Sequence, residues 1–156
     1  IDDFSRNIDD INKKIKSCDN CHCFMENDLC SCKTIESETI CILRKASEVI
    51  IIQKTGYQGH YHILGNLISP IDGIGPEALN IDSLMKRLGN IKEIIIATDA
   101  SVDGDATAAY INNILKDEPI KITRLARGLP IGGALDHVDQ TTLSRSIQDR
   151  VELRDD

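Results

Sequence analysis

Short runs of branched aliphatic residues alternate with helical patterns along most of this chain. The predicted strands are residues 39–43, 61–64, 93–97 and 121–125. The predicted helices are residues 81–88, 105–116 and 141–148, the last capped by Asp139 or Thr141. Strands that alternate with helices indicate an α/β fold with a mostly parallel sheet and helices on both faces.

Two segments need more than periodicity. Residues 49–52 are all β-branched, which favours a strand, but their position between two predicted strands favours a crossover helix. At the N-terminus, Phe4, Ile8, Ile11 and Ile15 share one helical face, which predicts an amphipathic linker helix over residues 1–16. We expect that face to pack against another element.

Composition narrows the class of protein. The 156 residues are 41% hydrophobic but only 3% aromatic, which predicts an aliphatic core rich in Ile and Leu. No apolar run approaches the roughly 20 residues that cross a bilayer. No signal-peptide pattern opens the chain either, so we expect a cytoplasmic protein without a membrane partner. The first residue is Ile, which suggests a fragment or a processed product.

Cysteines cluster near the N-terminus, with five of the six between residues 18 and 32. Two close pairs joined by a short loop, Cys18 with Cys21 and Cys30 with Cys32, are typical of a tetrahedral thiolate site for zinc. Four thiolates leave no open coordination position, so such a site is structural. Disulfides are the alternative, but pairs this close in sequence do not suggest a disulfide framework.

Carboxylates follow the third predicted strand. Asp99, Asp103 and Asp105 lie where open α/β sheets gather their chemistry, at the carboxyl end of a strand. Asp103 and Asp105 flank one glycine and could hold Mg²⁺. Alternatively they are helix-start residues that the helix dipole favours. The net charge of −7 argues against a large nucleic-acid footprint, so any DNA contact needs a local basic surface.

Three blocks of sequence resemble a known family. A strand followed by an acidic D-x-D and a helix resembles the Toprim fold of topoisomerases, primases and recombination mediators. The blocks TGYQGHYHILGNLISPIDGIGP, IIIATDASVDGDATAAYI and ITRLARGLPIGGALDHVDQTTLSRSIQDR are similar to motifs of the RecR family. The cysteine cluster lies just upstream, where that family carries a four-cysteine zinc module. The resemblance covers about residues 10–150.

The resemblance implies a non-catalytic DNA-repair protein. Members of the RecR family act with RecO and RecF to load the recombinase RecA onto gapped or single-stranded DNA, and they form homo-oligomers such as dimers or tetrameric rings. Their N-terminal helix-hairpin-helix contacts DNA, and we expect it to be missing here. The resulting organisation is a linker helix (1–16), a zinc module (17–39), a Toprim domain (40–134) and a C-terminal extension (135–156).

The zinc module departs from the family spacing at one ligand. The residues that keep the spacing are Cys18, Cys21 and Cys30. The fourth position is Lys33, so we expect Cys32 to complete a structural Zn²⁺ site, with Cys23 or His22 as alternatives. Cys41 lies inside a predicted strand and is expected to be a core residue.

The acidic site departs from the family as well. The family places a Glu after the first strand of the Toprim domain, where this chain has Arg44. An arginine does not exchange a proton near neutral pH. We expect it to pair with Asp103 or Asp105, which leaves a degenerate site with weakened Mg²⁺ binding. A metal-dependent Toprim nuclease or phosphotransferase, the alternative function, needs Mg²⁺ at these carboxylates and Asp99. A purely structural interaction domain is a third hypothesis.

Basic side chains near the C-terminus are the candidate DNA contacts. Arg124 and Arg127 border the loop GLPIGG and are expected to contact phosphate. The alternative for both is a salt bridge to Asp136 or Asp139. His60 and His62 alternate in a predicted strand and are expected to be surface or packing residues.

Overall fold

The computed structural model describes residues 15–26 and 28–152, and the chain divides into two compact units, Ile1–Arg124 and Leu125–Asp156. Most of the predicted linker helix therefore lies outside the described residues. Its last two positions, Ile15 and Lys16, lie in a short strand, so the helix does not extend to residue 16.

The first unit contains most of the regular structure. Its strands are β1 (Ile15–Ser17), β2 (Phe24–Glu26), β3 (Thr39–Leu43), β4 (His60–Ile63), β5 (Glu93–Ile96) and β6 (Lys121–Arg124). Its helices are α1 (Val49–Gln53), α2 (Ile81–Met85) and α3 (Val102–Ile114), and the second unit contains α4 (Gln140–Gln148). In the described part of the chain, none of the helices combines the length and the apolar character needed to span a membrane.

A parallel sheet of four strands organises the first unit, in the order β4-β3-β5-β6. Ile42 of β3 lies beside His62 of β4 on one side and Ile96 of β5 on the other. The chain leaves β3 toward β4 and later returns to the other side of β3 as β5. The carboxyl ends of β3 and β5 therefore form the switch point at which such sheets place their sites. Separately, β1 and β2 form an antiparallel ribbon.

The core has one layer on each face of the sheet. On one face, Ile40, Ile42, Ile94 and Ile96 pack against side chains of α2 and α3, including Leu84 and Ile111. On the other face the packing set includes β3, β4, α1 and the cysteine cluster, through Cys41, Leu43, Tyr61, Ile63, Val49 and Ile52. Helices on both faces of a parallel sheet confirm the predicted α/β Toprim-like fold, and Cys41 is a buried core residue.

The structure resolves two ambiguities of the sequence and corrects one predicted helix start. Residues 49–53 form the crossover helix α1, since a strand there would leave no connection between the parallel strands β3 and β4. Helix α3 begins at Val102, three residues before the predicted start, because the side chain of Ser101 caps it by accepting from Gly104 N. Asp139 rather than Thr141 caps α4, by accepting from Thr142 N.

Candidate metal centre and acidic site

Four cysteine sulfurs converge on one face of the sheet. The Sγ atoms of Cys18, Cys21, Cys30 and Cys32 all lie within 4.8 Å of one another. The closest pairs are Cys18 with Cys32 at 3.6 Å and Cys21 with Cys30 at 3.3 Å. In a tetrahedral zinc site with Zn–S bonds of about 2.3 Å, neighbouring sulfurs lie about 3.8 Å apart. The spacing of the four sulfurs therefore suits a shared metal ion, and the cluster can hold one.

Backbone hydrogen bonds shape the turn that carries the first pair. His22 N donates to Cys18 O at 2.8 Å, and Cys18 N donates to Cys23 O at 2.9 Å. His22 adopts a left-handed conformation with φ of 59°, which turns the chain between two cysteines. We call residues 18–23 the knuckle.

The second pair is tighter than the usual spacing because it enters a 3₁₀ turn, Ser31–Lys33. Lys33 N donates to Cys30 O at 3.1 Å and closes that turn. A 3₁₀ turn has about three residues per turn rather than 3.6, so it reorients side chains over fewer residues. Cys32 thus reaches the cluster although it lies one position before the family's usual ligand.

The alternative ligands have other contacts. Cys23 is buried, but its Sγ lies 3.9 Å from Cys21 O, and it is not one of the four clustered sulfurs. His22 Nε2 lies 2.8 Å from Ser83 Oγ on helix α2. Neither side chain is therefore among the groups that the described residues bring together around a metal position.

Thiol ionisation in the cluster is uneven. A hydrogen bond from Cys23 is the main cause that lowers the pKa of Cys21, whereas burial raises the pKa of Cys30 and Cys32. Several thiolates close together in a buried site require a compensating positive charge. Soft sulfur donors in this number select Zn²⁺ or a similarly soft ion, so the donor set fits zinc.

The acidic residues lie at the switch point of the sheet. Asp99 follows β5, and Asp103 and Asp105 occupy the first turn of α3. The glycine between them is required, because a Cβ on Gly104 would collide with the carbonyl oxygen of Asp99. Asp103 and Asp105 are thus helix-start residues, which is what the alternative to Mg²⁺ binding predicts. The preceding loop packs tightly against the helix.

Two arginines pair with this acidic loop. Arg44, directly after β3, places Nη1 at 3.2 Å from Asp99 Oδ2, and its Nε lies 3.9 Å from Glu48 Oε1. Asp99, rather than Asp103 or Asp105, is therefore the partner of Arg44. The in-register pairing of β3 with β5 explains the choice, because it brings residue 44 beside the residues that follow Ile96.

Arg124 contacts the same loop from the end of β6. Its Nη1 lies 2.8 Å from Asp105 Oδ1, and its Nη2 donates to the carbonyl oxygen of Asp99 at 3.3 Å. The alternative to phosphate contact named Asp136 or Asp139 as salt-bridge partners of Arg124, and its partner in the structure is Asp105. Arg127 lies in the second unit and is half-buried. The two candidate DNA contacts thus belong to different units.

Mg²⁺ is a poor fit to these residues. It requires near-octahedral oxygen coordination and is usually held by one or two carboxylates together with several waters. Here Asp99 and Asp105 each pair with a guanidinium group, and the position expected to supply a Glu supplies Arg44. Two guanidinium groups therefore already lie against the carboxylates that a divalent ion would need.

Comparison with known proteins assigns the chain to a family. A family model of the Toprim domain matches residues 38–126, and a model of the RecR C-terminal region matches residues 128–151. Recombination protein RecR of Treponema denticola is 41% identical over 152 residues, which cover 94% of this chain and 78% of the relative. The RecR proteins of Moorella thermoacetica and Streptococcus equi subsp. zooepidemicus are 42% and 40% identical, over 97% and 98% of this chain and 79% and 80% of theirs. The chain belongs to the RecR family.

RecR membership confirms the resemblance drawn from the three sequence blocks. The two family matches meet near residue 127, close to the boundary at Arg124 between the two compact units. Membership of the RecR family does not by itself predict two contacts of this chain. Glu48 accepts from the backbone N–H groups of Arg44 and Lys45, and His22 contacts α2. In the sequence, the Glu four residues after Arg44 could have indicated the Glu48 contact. No sequence pattern indicates the contact between His22 and α2.

Proposed function

We propose that this protein acts in DNA repair as a non-catalytic recombination mediator of the RecR type. The observation that carries the proposal is the similarity to curated RecR proteins at about 40% identity over nearly the whole chain. In this role it binds gapped or single-stranded DNA in the cytoplasm and promotes loading of RecA. RecO and RecF are the partner proteins, and the chain assembles as a dimer or a tetrameric ring.

DNA contact is assigned to Arg124 and Arg127. Guanidinium groups bind phosphate oxygens well because their donors form a planar fork. Arg124 contacts Asp105 and the Asp99 carbonyl oxygen in this structure, so it would exchange an internal carboxylate for a phosphate on binding. Arg127 lies in the second unit and is half-buried, and its guanidinium group is the second candidate.

Fluorescence anisotropy with single-stranded and gapped DNA tests this assignment. Arg127→Gln should weaken binding and reduce the slope of log affinity against log salt by about one unit, since one phosphate contact is lost. Arg145→Gln, which breaks the pair of Arg145 with Asp149 at 3.1 Å, is the matched control because the charge change is identical. Equal affinity and equal slope for wild type and Arg127→Gln would remove Arg127 from the interface.

The mediator role is tested by RecA loading on gapped DNA coated with single-strand-binding protein. Addition of this chain with RecO and RecF should shorten the lag before RecA filaments form. Pull-down with each partner separately identifies which one it binds, and light scattering gives the oligomeric state. An unchanged lag together with no bound partner would contradict the proposal and favour the purely structural alternative.

The cysteine cluster is proposed as a structural Zn²⁺ site with Cys18, Cys21, Cys30 and Cys32 as ligands. When bound, zinc supplies the positive charge that stabilises the thiolates and fixes the fold of the module. Metal content by mass spectrometry should give about one zinc per chain, lost in Cys32→Ser. Cys23→Ser is the control and should retain zinc. Retention in Cys32→Ser with loss in Cys23→Ser would move the fourth ligand to Cys23.

Catalysis is not part of the proposal. The pairing of Arg44 with Asp99 and of Arg124 with Asp105 supports a degenerate acidic site that does not take up Mg²⁺. A cleavage assay with Mg²⁺ on single-stranded and gapped DNA separates this from a Toprim nuclease. Any turnover that is abolished by Asp103→Asn together with Asp105→Asn would overturn the non-catalytic assignment.

A further inference from the structure

The outer edge of β4 is covered by residues from two other elements. Ile63 N donates to Cys21 O in the knuckle at 2.9 Å. Ile63 O accepts from Asn80 Nδ2 at 3.0 Å, and Tyr61 O accepts from Arg87 Nη1 at 2.8 Å. An edge strand otherwise presents these polar groups to solvent or to another strand. The knuckle and the segment around α2 therefore complete the hydrogen bonding of the sheet edge.

His22 connects the same two elements through its side chain. Ser83 Oγ donates to Asn80 O at 3.1 Å, so the hydroxyl accepts at its other contact, from His22 Nε2 at 2.8 Å. The left-handed conformation of His22 places its side chain on α2 while its neighbours Cys21 and Cys23 stay in the interior.

A fully buried histidine lies behind this contact. His62 Nε2 donates to Asn80 O at 2.8 Å, and His62 Nδ1 accepts from Arg87 Nη1 at 3.1 Å, which fixes a neutral tautomer. The rings of His22 and His62 meet edge to face, with centroids 5.8 Å apart. Both His62 and Ser83 converge on the carbonyl of Asn80, so the polar network runs without a break from the knuckle to α2.

We propose that His22 is a positioning residue, not a metal ligand, and that it couples metal binding in the knuckle to the order of the Toprim sheet edge. We call the His22–Ser83 and Cys21–Ile63 hydrogen bonds the clasp. The proposal rests on the metal site proposed above. Cys18 and Cys21 bracket the turn that carries both donor and acceptor of the clasp, so coordination of the two sulfurs fixes the turn and keeps the clasp closed.

Hydrogen exchange of the whole chain, with and without metal, tests the coupling. Removal of the metal by a chelator should speed exchange of the Ile63 amide by about fivefold or more, since its acceptor on Cys21 is released. The amide of Ile96, in the sheet interior, serves as an internal reference and should change less. Equal change at Ile63 and Ile96 would indicate uniform loosening and contradict a local clasp.

Two variants separate the side-chain contact from metal binding. His22→Asn tolerates a left-handed backbone but is too short to reach Ser83, and Ser83→Ala removes the contact from outside the knuckle. Each should retain about one metal per chain and speed exchange at Ile63 by about fivefold, the factor expected from one lost hydrogen bond. Asp28→Asn is the matched control, at the other non-glycine residue with φ of 59°, and should leave Ile63 unchanged.

The outcomes distinguish failure of the clasp from failure of the metal site. A wild-type protein without bound metal would sink the metal site and the coupling together. Loss of metal in His22→Asn but not in Ser83→Ala would make His22 a ligand and overturn the clasp alone. Retained metal with unchanged exchange at Ile63 in both variants would also overturn it, because the contact would then exist without holding the edge.

Discussion

Two clusters of acidic groups lie on the same sheet, and they differ in how their negative charge is balanced. The cysteine cluster gathers four sulfur atoms within 4.8 Å on one face. The acidic loop at the carboxyl end of β5 places Asp99 and Asp105 against the guanidinium groups of Arg44 and Arg124. The loop thus has cations built into the chain, whereas the four sulfurs are placed so that they can hold a metal cation.

A group of metal-binding residue types therefore does not by itself predict a metal. Cys, Asp and Glu are all metal ligands, but an ion binds where its charge is needed and its geometry is available. A carboxylate that is already paired with a guanidinium group has less need of the ion's charge and fewer free oxygen positions to coordinate it. The four-cysteine cluster and the D-x-D loop would look equally promising from residue types alone, and the neighbouring arginines separate them.

Removal of metal should give the largest effect, and the absence of this effect would contradict the difference between the two clusters. Structural zinc contributes on the order of 10 kcal/mol in small zinc-dependent folds, so chelation should lower Tm by roughly 10 °C or more here. Addition of about 10 mM Mg²⁺ should leave Tm unchanged, since the acidic loop already carries its cations. Differential scanning fluorimetry measures both. A shift with Mg²⁺ as large as that with zinc would show that the two clusters behave alike.

Acid titration of His62 tests the charge balance behind the cysteine cluster. Burial, with help from Arg87, lowers the pKa of His62 to about 4 from 6.5, so this base supplies no positive charge behind the cysteines at neutral pH. The unfolded chain takes up a proton near pH 6.5 and the folded chain only near 4. The associated stability is therefore complete above about pH 6.5 and is lost as the pH falls toward 4.

Urea unfolding at pH 7 and pH 5 measures this loss. His62 alone should account for about 2 kcal/mol between the two values, and His62→Gln should remove that part of the pH dependence. His137→Gln is the control, because His137 is exposed in the second unit. Metal content is measured in parallel, since acid release of metal affects all three proteins. An identical pH dependence in wild type and His62→Gln would mean that His62 is not held neutral.

Arg44→Glu should convert the acidic loop into a metal-dependent site. The new carboxylate would lie near Asp99 and Glu48, which destabilises the protein by like-charge repulsion. Mg²⁺ at about 10 mM should then raise the free energy of unfolding by about 1.4 kcal/mol, against none in wild type, if its Kd is about 1 mM. Arg44→Gln removes the charge without adding a ligand and should show no gain with Mg²⁺. If Mg²⁺ does not change the free energy of unfolding of Arg44→Glu, then the Arg44 side chain does not lie where the ion would bind.

The strands and the family were readable from the sequence because their signals are local. Branched aliphatic runs identify β3 to β6 within one or two residues at each end, and three ordered blocks identify the family. Strands β1 and β2 escaped detection, since three-residue strands are too short to show a period of two. Ser101 is a typical N-cap residue and indicates that α3 starts at Val102, whereas the predicted start at Asp105 relied on the D-x-D motif.

Partner choice was not readable from the sequence because it depends on register. The sequence suggested Asp103 or Asp105 as the partner of Arg44, whereas the pairing of β3 with β5 brings Asp99 to it. In the same way, a histidine between two cysteines reads as a possible ligand. The left-handed backbone of His22 and its contact with Ser83 come from tertiary structure. The sequence thus indicated which residues belong to the two sites, but not which partner each side chain contacts.

The ion pair between Arg124 and Asp105 should give the smallest effect. The pair is short, at 2.8 Å, but its side chains are 25% and 47% exposed, so water and salt screen it. A double-mutant cycle with Arg124→Gln and Asp105→Asn should give a coupling of about 0.5–1 kcal/mol that falls as salt is raised. Lys121 and Glu93, 3.9 Å apart with the lysine 71% exposed, form the matched pair and should couple more weakly. Equal coupling in the two cycles would mean that the Arg124–Asp105 pair is no stronger than an exposed surface pair. Arg124 would then contribute little to compensating the charge of the loop, and its exchange from Asp105 to a DNA phosphate would cost little.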